Sequence, residues 1–170
     1  MTPESFEALY PYVAEWIGST LTAHAEKART VASCRFPRLP HFFDGTTLAS
    51  AKVVVVERLP IPPLSLMGLP QFAEFERANF SGVTYLDTYF LKSAVARNET
   101  IHFHELIHVI QWRLLGAKDF LRVYADGLER FGYMMSPLER MAYDAEAAFS
   151  AAGTFDAELL VSDALAKLRG

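Results

Sequence analysis

The stretch Ile101-His102-Phe103-His104-Glu105-Leu106-Ile107-His108-Val109-Ile110-Gln111 sets three ionisable side chains, His104, Glu105 and His108, into an otherwise apolar run. The apolar neighbours demand burial, whereas three buried ionisable groups without partners would cost several kcal/mol. Any fold of this chain must therefore enclose the run and also give those three groups something to bond. On an α-helix, residues four apart share a face, so the imidazoles of His104 and His108 can converge on one point with Glu105 beside the first. A metal ion at that point satisfies all three together.

The rest of the chain narrows the class. Its 170 residues are 51% hydrophobic and 13% aromatic, enough for a sizeable core in a single domain spanning 1–170 and far from a disordered composition. The net charge of −4 gives no polyanion-binding surface, so nucleic acid is not an expected partner. One cysteine, Cys34, excludes an internal disulfide framework and a four-cysteine zinc site, and fits a reducing compartment. The start, Met1-Thr2-Pro3-Glu4-Ser5, has neither a basic nor a continuous apolar stretch. The apolar runs are too short for a bilayer. The expectation is a cytoplasmic protein with no membrane partner.

Hydrophobic spacing organises the chain. Phe6, Leu9, Val13, Trp16, Ile17 and Leu21 recur at helical intervals, predicting one long helix over the first 30 residues that starts at Thr2-Pro3-Glu4 and is either kinked or begun by Pro11. Residues 35–50 read as a loop. Lys52 to Glu57, with four valines in a row, predicts a strand covered on both faces. The segment Leu59 to Pro70 carries four of the nine prolines and excludes regular structure. Gly82 to Leu91 predicts a second strand, rich in β-branched and aromatic residues. Asn98 caps the helix that carries the histidines, which should run to Leu115 and stop at Gly116. Further helices are expected over 118–131, over 136–152 with Ser136 as cap, Pro137 first and Glu139 third, and over 157–168. The sum is an α+β fold: a long N-terminal helix, a small sheet and a helical C-terminal half.

His104-Glu105-x-x-His108 is the short zinc-hydrolase signature, and two histidines do not complete such a site. Catalytic zinc takes three protein ligands and leaves a position for water. A metzincin would need Gly at 111 and His at 114, where this chain has Gln111 and Leu114. A zinc-dependent deformylase would need an upstream cysteine ligand, and the context of Cys34 is wrong for it. A carboxylate from a later helix remains, with Glu139 and, seven residues on and on the same helix face, Glu146 as candidates.

At this point the chain resembles the gluzincins. Ser136-Pro137-Leu138-Glu139-Arg140-Met141-Ala142-Tyr143 is similar to the Asn-Pro-x-Glu-x-x-Ala pattern of small gluzincin-like peptidases. His104-Glu105-Leu106-Ile107-His108-Val109-Ile110-Gln111 resembles their His-Glu-Leu-x-His-Val-x-Gln form. The strand 82–91 corresponds in position to their active-site edge strand, and the resemblance covers residues 82–150. It implies a zincin-like fold, Zn2+ held by His104, His108 and Glu139, Glu105 as general base, and hydrolysis of a peptide or protein substrate.

The pattern departs from thermolysin-like members at Tyr143, where they carry an acid that orients a histidine ligand. Glu146 or Asp144 would then supply that support. An oxyanion donor is also needed, for which Tyr143, Tyr133, Tyr124 and His102 are candidates, Tyr143 foremost because it lies one turn from Glu139.

Other readings stand beside these. Glu139 also fits a capping box, bonding back to its own helix start. Gln111, one turn after His108, either lines the site or caps backbone. His102, His24 and His41 read as structural or surface residues, Arg140 and Lys118 as solvated, and Cys34 as a small packing residue. A zinc-binding module that does not cleave, or a metal-free interaction domain with both histidines in the core, are the alternative functions.

Overall fold

A computed structural model describes residues 2–151 and 153–169. The expected helix over 118–131 is present with its neighbours, and the architecture is α+β. Helix α1 (Pro3–His24) leads into a short strand β1 (Arg29–Thr30), helix α2 (Gly45–Ser50) and strand β2 (Lys52–Val56). Helix α3 (Ala73–Arg77) precedes the hairpin of β3 (Gly82–Tyr85) and β4 (Thr88–Lys92). Helices α4 (Glu99–Leu115), α5 (Ala117–Phe131), α6 (Pro137–Ser150) and α7 (Ala157–Arg169) follow. The sheet runs β1-β2-β4-β3, with β2 parallel to β4 and the other pairs antiparallel.

Helix α4 is the axis of the fold. Twelve of its residues are buried, from His102 to Trp112 without a break and then Leu115, as expected of a helix apolar all round. It packs against β3 and β4 on the sheet side and against α5, α6 and α7 elsewhere. Its ends are where local chemistry put them. Thr100 N–H donates to Asn98 Oδ1 at 3.1 Å, and the chain leaves the helix at Gly116 with φ 76°. Glu99 Oε1 accepts the backbone N–H groups of Arg38 and Leu39 at 2.7 and 2.9 Å, tying the loop before α2 to the start of α4. The core behind it is aromatic: Phe103 stacks on Phe149 at 4.4 Å, and Phe42 packs edge-on against both.

Several expectations need correction. The N-terminal helix ends at His24, six residues short, and Pro11 neither starts nor interrupts it. Both Pro11 and Glu7, whose carbonyl loses its helical partner there, are exposed, so the freed carbonyl lies on the solvent side of the helix. The stretch 35–50 is not all loop, because Asp44 caps α2 by accepting Thr47 N–H at 2.5 Å. Strand β2 is covered on both faces only at Val53 and Val54; Val55 is 48% exposed. The single strand expected over 82–91 is a tight hairpin that turns at Leu86 and Asp87, with Leu86 at φ 57°. The predicted end of the fourth long helix at Ala152 lies outside the described residues; α6 reaches Ser150. Among the described residues no helix is long and apolar enough to cross a membrane.

Candidate metal centre

Two close approaches shape the site. On α5, an ideal Cβ at Gly127 would lie 2.6 Å from Ser136 Oγ and 2.9 Å from Pro137 Cδ, so only glycine lets the first turn of α6 come this near. On β3, a Cβ at Gly82 would lie 2.7 Å from Leu91 Cδ2 and 2.8 Å from Glu105 Cδ, so the strand runs directly against Glu105. The first contact delivers Glu139 to α4 and the second confines Glu105.

Glu139 does not cap its helix. Ser136 occupies the cap position through its carbonyl, which accepts Arg140 N–H at 2.8 Å, but its hydroxyl makes no capping bond. The Glu139 side chain instead turns inward, 2% exposed, between the two histidines. His104, His108 and Glu139 form a buried group of possible ligands among the described residues. His104 Nε2 and His108 Nε2 are 3.2 Å apart, Glu139 Oε2 is 3.5 Å from His104 Nε2, and Glu139 Oε1 is 3.5 Å from His108 Nε2.

These spacings are within reach of a single small ion. Bonds of about 2.0–2.1 Å at a tetrahedral ion hold ligand atoms about 3.3–3.4 Å apart. The donor chemistry agrees. Each imidazole is engaged through Nδ1, His104 with Glu146 Oε2 at 2.9 Å and His108 with Gln111 Oε1 at 2.8 Å. Acceptors at Nδ1 place the ring proton there and leave the Nε2 lone pair for an ion. Glu139 Oε2 is buried with no hydrogen-bond partner, and an orphan carboxylate oxygen beside two Nε2 atoms is what an absent cation would leave. Its other oxygen accepts the Tyr124 hydroxyl at 2.6 Å.

The carboxylates and imidazoles of the site shift one another in opposite directions. Burial pulls the His104 imidazolium down, yet the carboxylates of Glu139, Glu146 and Glu105 outweigh it and hold the pKa at about 10. Burial would raise Glu139, and the two histidines instead hold its carboxyl well below the usual range. Glu105 is shifted the other way: burial raises it, against the lowering effect of His104, His108 and the Thr84 hydroxyl.

Each residue singled out from sequence now has a place. Glu105 is 5% exposed, and its Oε2 accepts the Thr84 hydroxyl at 2.6 Å. Glu146, the rival ligand, bonds the outer nitrogen of His104 and lies outside the three-residue group. Asp144 faces solvent in a pair with Arg140. The Tyr143 ring packs 4.7 Å from the His104 ring, with the Tyr133 side chain beside its own. His102 is remote from the cluster, held by the Tyr89 hydroxyl at 2.6 Å and the Ala96 carbonyl at 3.0 Å.

Gln111 both lines the site and satisfies backbone, donating to the Leu138 carbonyl at 3.0 Å. Cys34 is half-buried and bonded weakly to the Thr30 carbonyl. Thr84 had no signature in the sequence, because the hairpin alone brings it to Glu105. Comparison with family models, curated proteins and solved structures finds no match, so the chemistry of this site is argued from its own geometry.

Proposed function

We propose that the protein is a zinc-dependent metallopeptidase of gluzincin type on a zincin-like fold, with His104, His108 and Glu139 as ligands and Glu105 as general base. The observation that carries this reading is the buried cluster in which the two Nε2 atoms are 3.2 Å apart and each meets one oxygen of the Glu139 carboxylate at 3.5 Å, with Glu105 adjoining it on α4. Zinc bound there would lower the pKa of a coordinated water to about 7 and polarise a carbonyl.

The chain's own groups supply the rest. Glu105, raised in pKa and fixed by Thr84, takes a proton from the attacking water and passes it to the leaving amine. Tyr143 packs against the His104 ring, and burial raises the pKa of its hydroxyl, which keeps it a proton donor for a developing oxyanion at neutral pH. Strand β3 is an edge of the sheet and lies along α4. The Thr84 carbonyl already accepts the Trp112 indole N–H at 3.1 Å, which leaves the Gly82 end, nearest Glu105, for pairing with an extended peptide.

Glu105→Gln tests the assignment. It removes the base and spares the ligands, so zinc should remain at about one per chain while cleavage of a peptide mixture, followed by mass spectrometry, disappears. A variant that cleaves as well as the unsubstituted protein would refute the mechanism.

A further inference from the structure

Beside the candidate metal centre is a partly enclosed cavity of about 120 Å³. Glu105, His108 and Glu139 line it and are, among the described residues, the only lining residues of the Asp, Glu, His, Lys or Arg type. The rest is apolar or aromatic apart from Thr84 and tyrosine hydroxyls. Leu9 and Val13 of α1 make one wall, Ala125 and Leu128 of α5 another, and Phe75 and Phe80 roof it. Phe80 packs 4.7 Å from Tyr133, which continues the roof to the tyrosine pair next to His104. These walls come from elements other than the ligand helices.

We infer that this cavity is the specificity pocket of the proposed peptidase, taking one Leu- or Phe-sized side chain of the residue flanking the scissile bond. This rests on the metallopeptidase reading and adds its substrate class. Three observations decide the occupant. Because His108 and Glu139 of the ligand cluster, and Glu105 adjoining it, also line the cavity, a group seated there lies next to the reacting carbonyl. The size matches one ring: an engineered cavity of about 150 Å³ holds benzene, so about 120 Å³ takes a phenyl or isobutyl group and not a long acyl chain. Away from the reacting groups the lining offers a charged side chain no group of opposite charge, only Thr84 and tyrosine hydroxyls, so charged side chains are rejected. Ala125 sets the capacity, being the smallest side chain on the α5 wall.

The test uses the full-length, zinc-loaded protein and peptides differing at one residue beside the cleaved bond. Leu and Phe peptides should exceed Gly, Lys and Asp peptides by at least about 10-fold in kcat/KM. Ala125→Phe fills the cavity and should lower the Leu-to-Gly ratio at least about 10-fold with zinc content unchanged. Leu128→Ala enlarges it and should move the optimum toward Trp, which keeps the test decisive if Ala125→Phe folds poorly. Toluene supplies a readout independent of turnover. It should raise the thermal midpoint of the zinc-free protein, and Leu128→Ala should alter that shift.

Cleavage without preference, or a preference that neither variant changes, overturns the pocket and leaves the peptidase reading standing. Toluene binding with no peptide cleaved overturns the peptidase reading and the pocket's role with it. Selective cleavage with no toluene effect also overturns the pocket, since the selectivity would then arise elsewhere.

Discussion

Alanine at Glu139 and alanine at Glu146 should separate a ligand from the residue that orients one. Both are glutamates on α6, and both lie within hydrogen-bonding or ion-pairing reach of His104, at 3.5 and 2.9 Å respectively. By distance alone Glu146 is the closer. The nitrogen it meets is nevertheless Nδ1, the outer one, and only Glu139 faces both Nε2 atoms.

A ligand in 1,000-fold excess over its dissociation constant stabilises the fold by about 4.1 kcal/mol. In a chain of this size each kcal/mol moves the midpoint by about 2–4 °C, so zinc should raise it by about 8–16 °C. Removing the partner of a ligating histidine weakens binding by about 10- to 100-fold. At the same free zinc, Glu146→Ala should therefore forfeit about 1.4–2.7 kcal/mol of that stabilisation, which is about 3–11 °C of the shift. Glu139→Ala removes a direct bond and should abolish most of it.

Calorimetric melts at buffered free zinc, paired with competition against a chelating dye, measure both quantities. Equal shifts in Glu139→Ala and the unsubstituted protein, or a larger loss in Glu146→Ala, would refute the assignment of ligands.

Two further outcomes follow from buried hydroxyls. Thr84→Val removes the hydrogen bond to Glu105 while keeping shape, and should lower kcat about 10-fold with KM and zinc content little changed; an unchanged kcat would remove Thr84 from the mechanism. Burial, with Glu105 nearby, pushes Tyr85 far above its ordinary range, and burial likewise raises Tyr89. A folded state that holds these protons longer than the unfolded chain loses stability as pH rises above about 10, the unfolded value. Absorbance at 295 nm should show those two tyrosinates only as near-ultraviolet circular dichroism collapses. All seven tyrosines ionising with the fold intact would contradict this.

What could be read in advance was local. Asn98, Gly116 and the Ser136-Pro137 pair act through their own backbone neighbours, so the bounds of α4 and the start of α6 were legible. The histidine pair was legible because four residues of helix suffice to define it. The hairpin was hidden because Leu86-Asp87 carries no glycine or asparagine, and its left-handed leucine is held by strand pairing. The fate of Glu139 was ambiguous for a similar reason. A capping box and an inward-facing ligand have the same sequence, and only the packing of α6, close to α5 at Gly127 and against α4, selects between them. Thr84 and the pocket residues of α1 and α5 depend on packing across the whole chain, to which no short pattern is sensitive.

Helix α4 is enclosed by neighbours all round, and this bears on how an ion would be held. The imidazole positions are fixed by Phe103, Leu106, Ile107 and the helices stacked around them, so the arriving cation has little left to organise. Defects placed far away, such as a truncated Phe149 or Val161, should then surface as weakened metal retention before any contact with the ion is touched. Inherited or engineered damage to this core would be misread as a faulty active centre unless folding and loading were measured side by side.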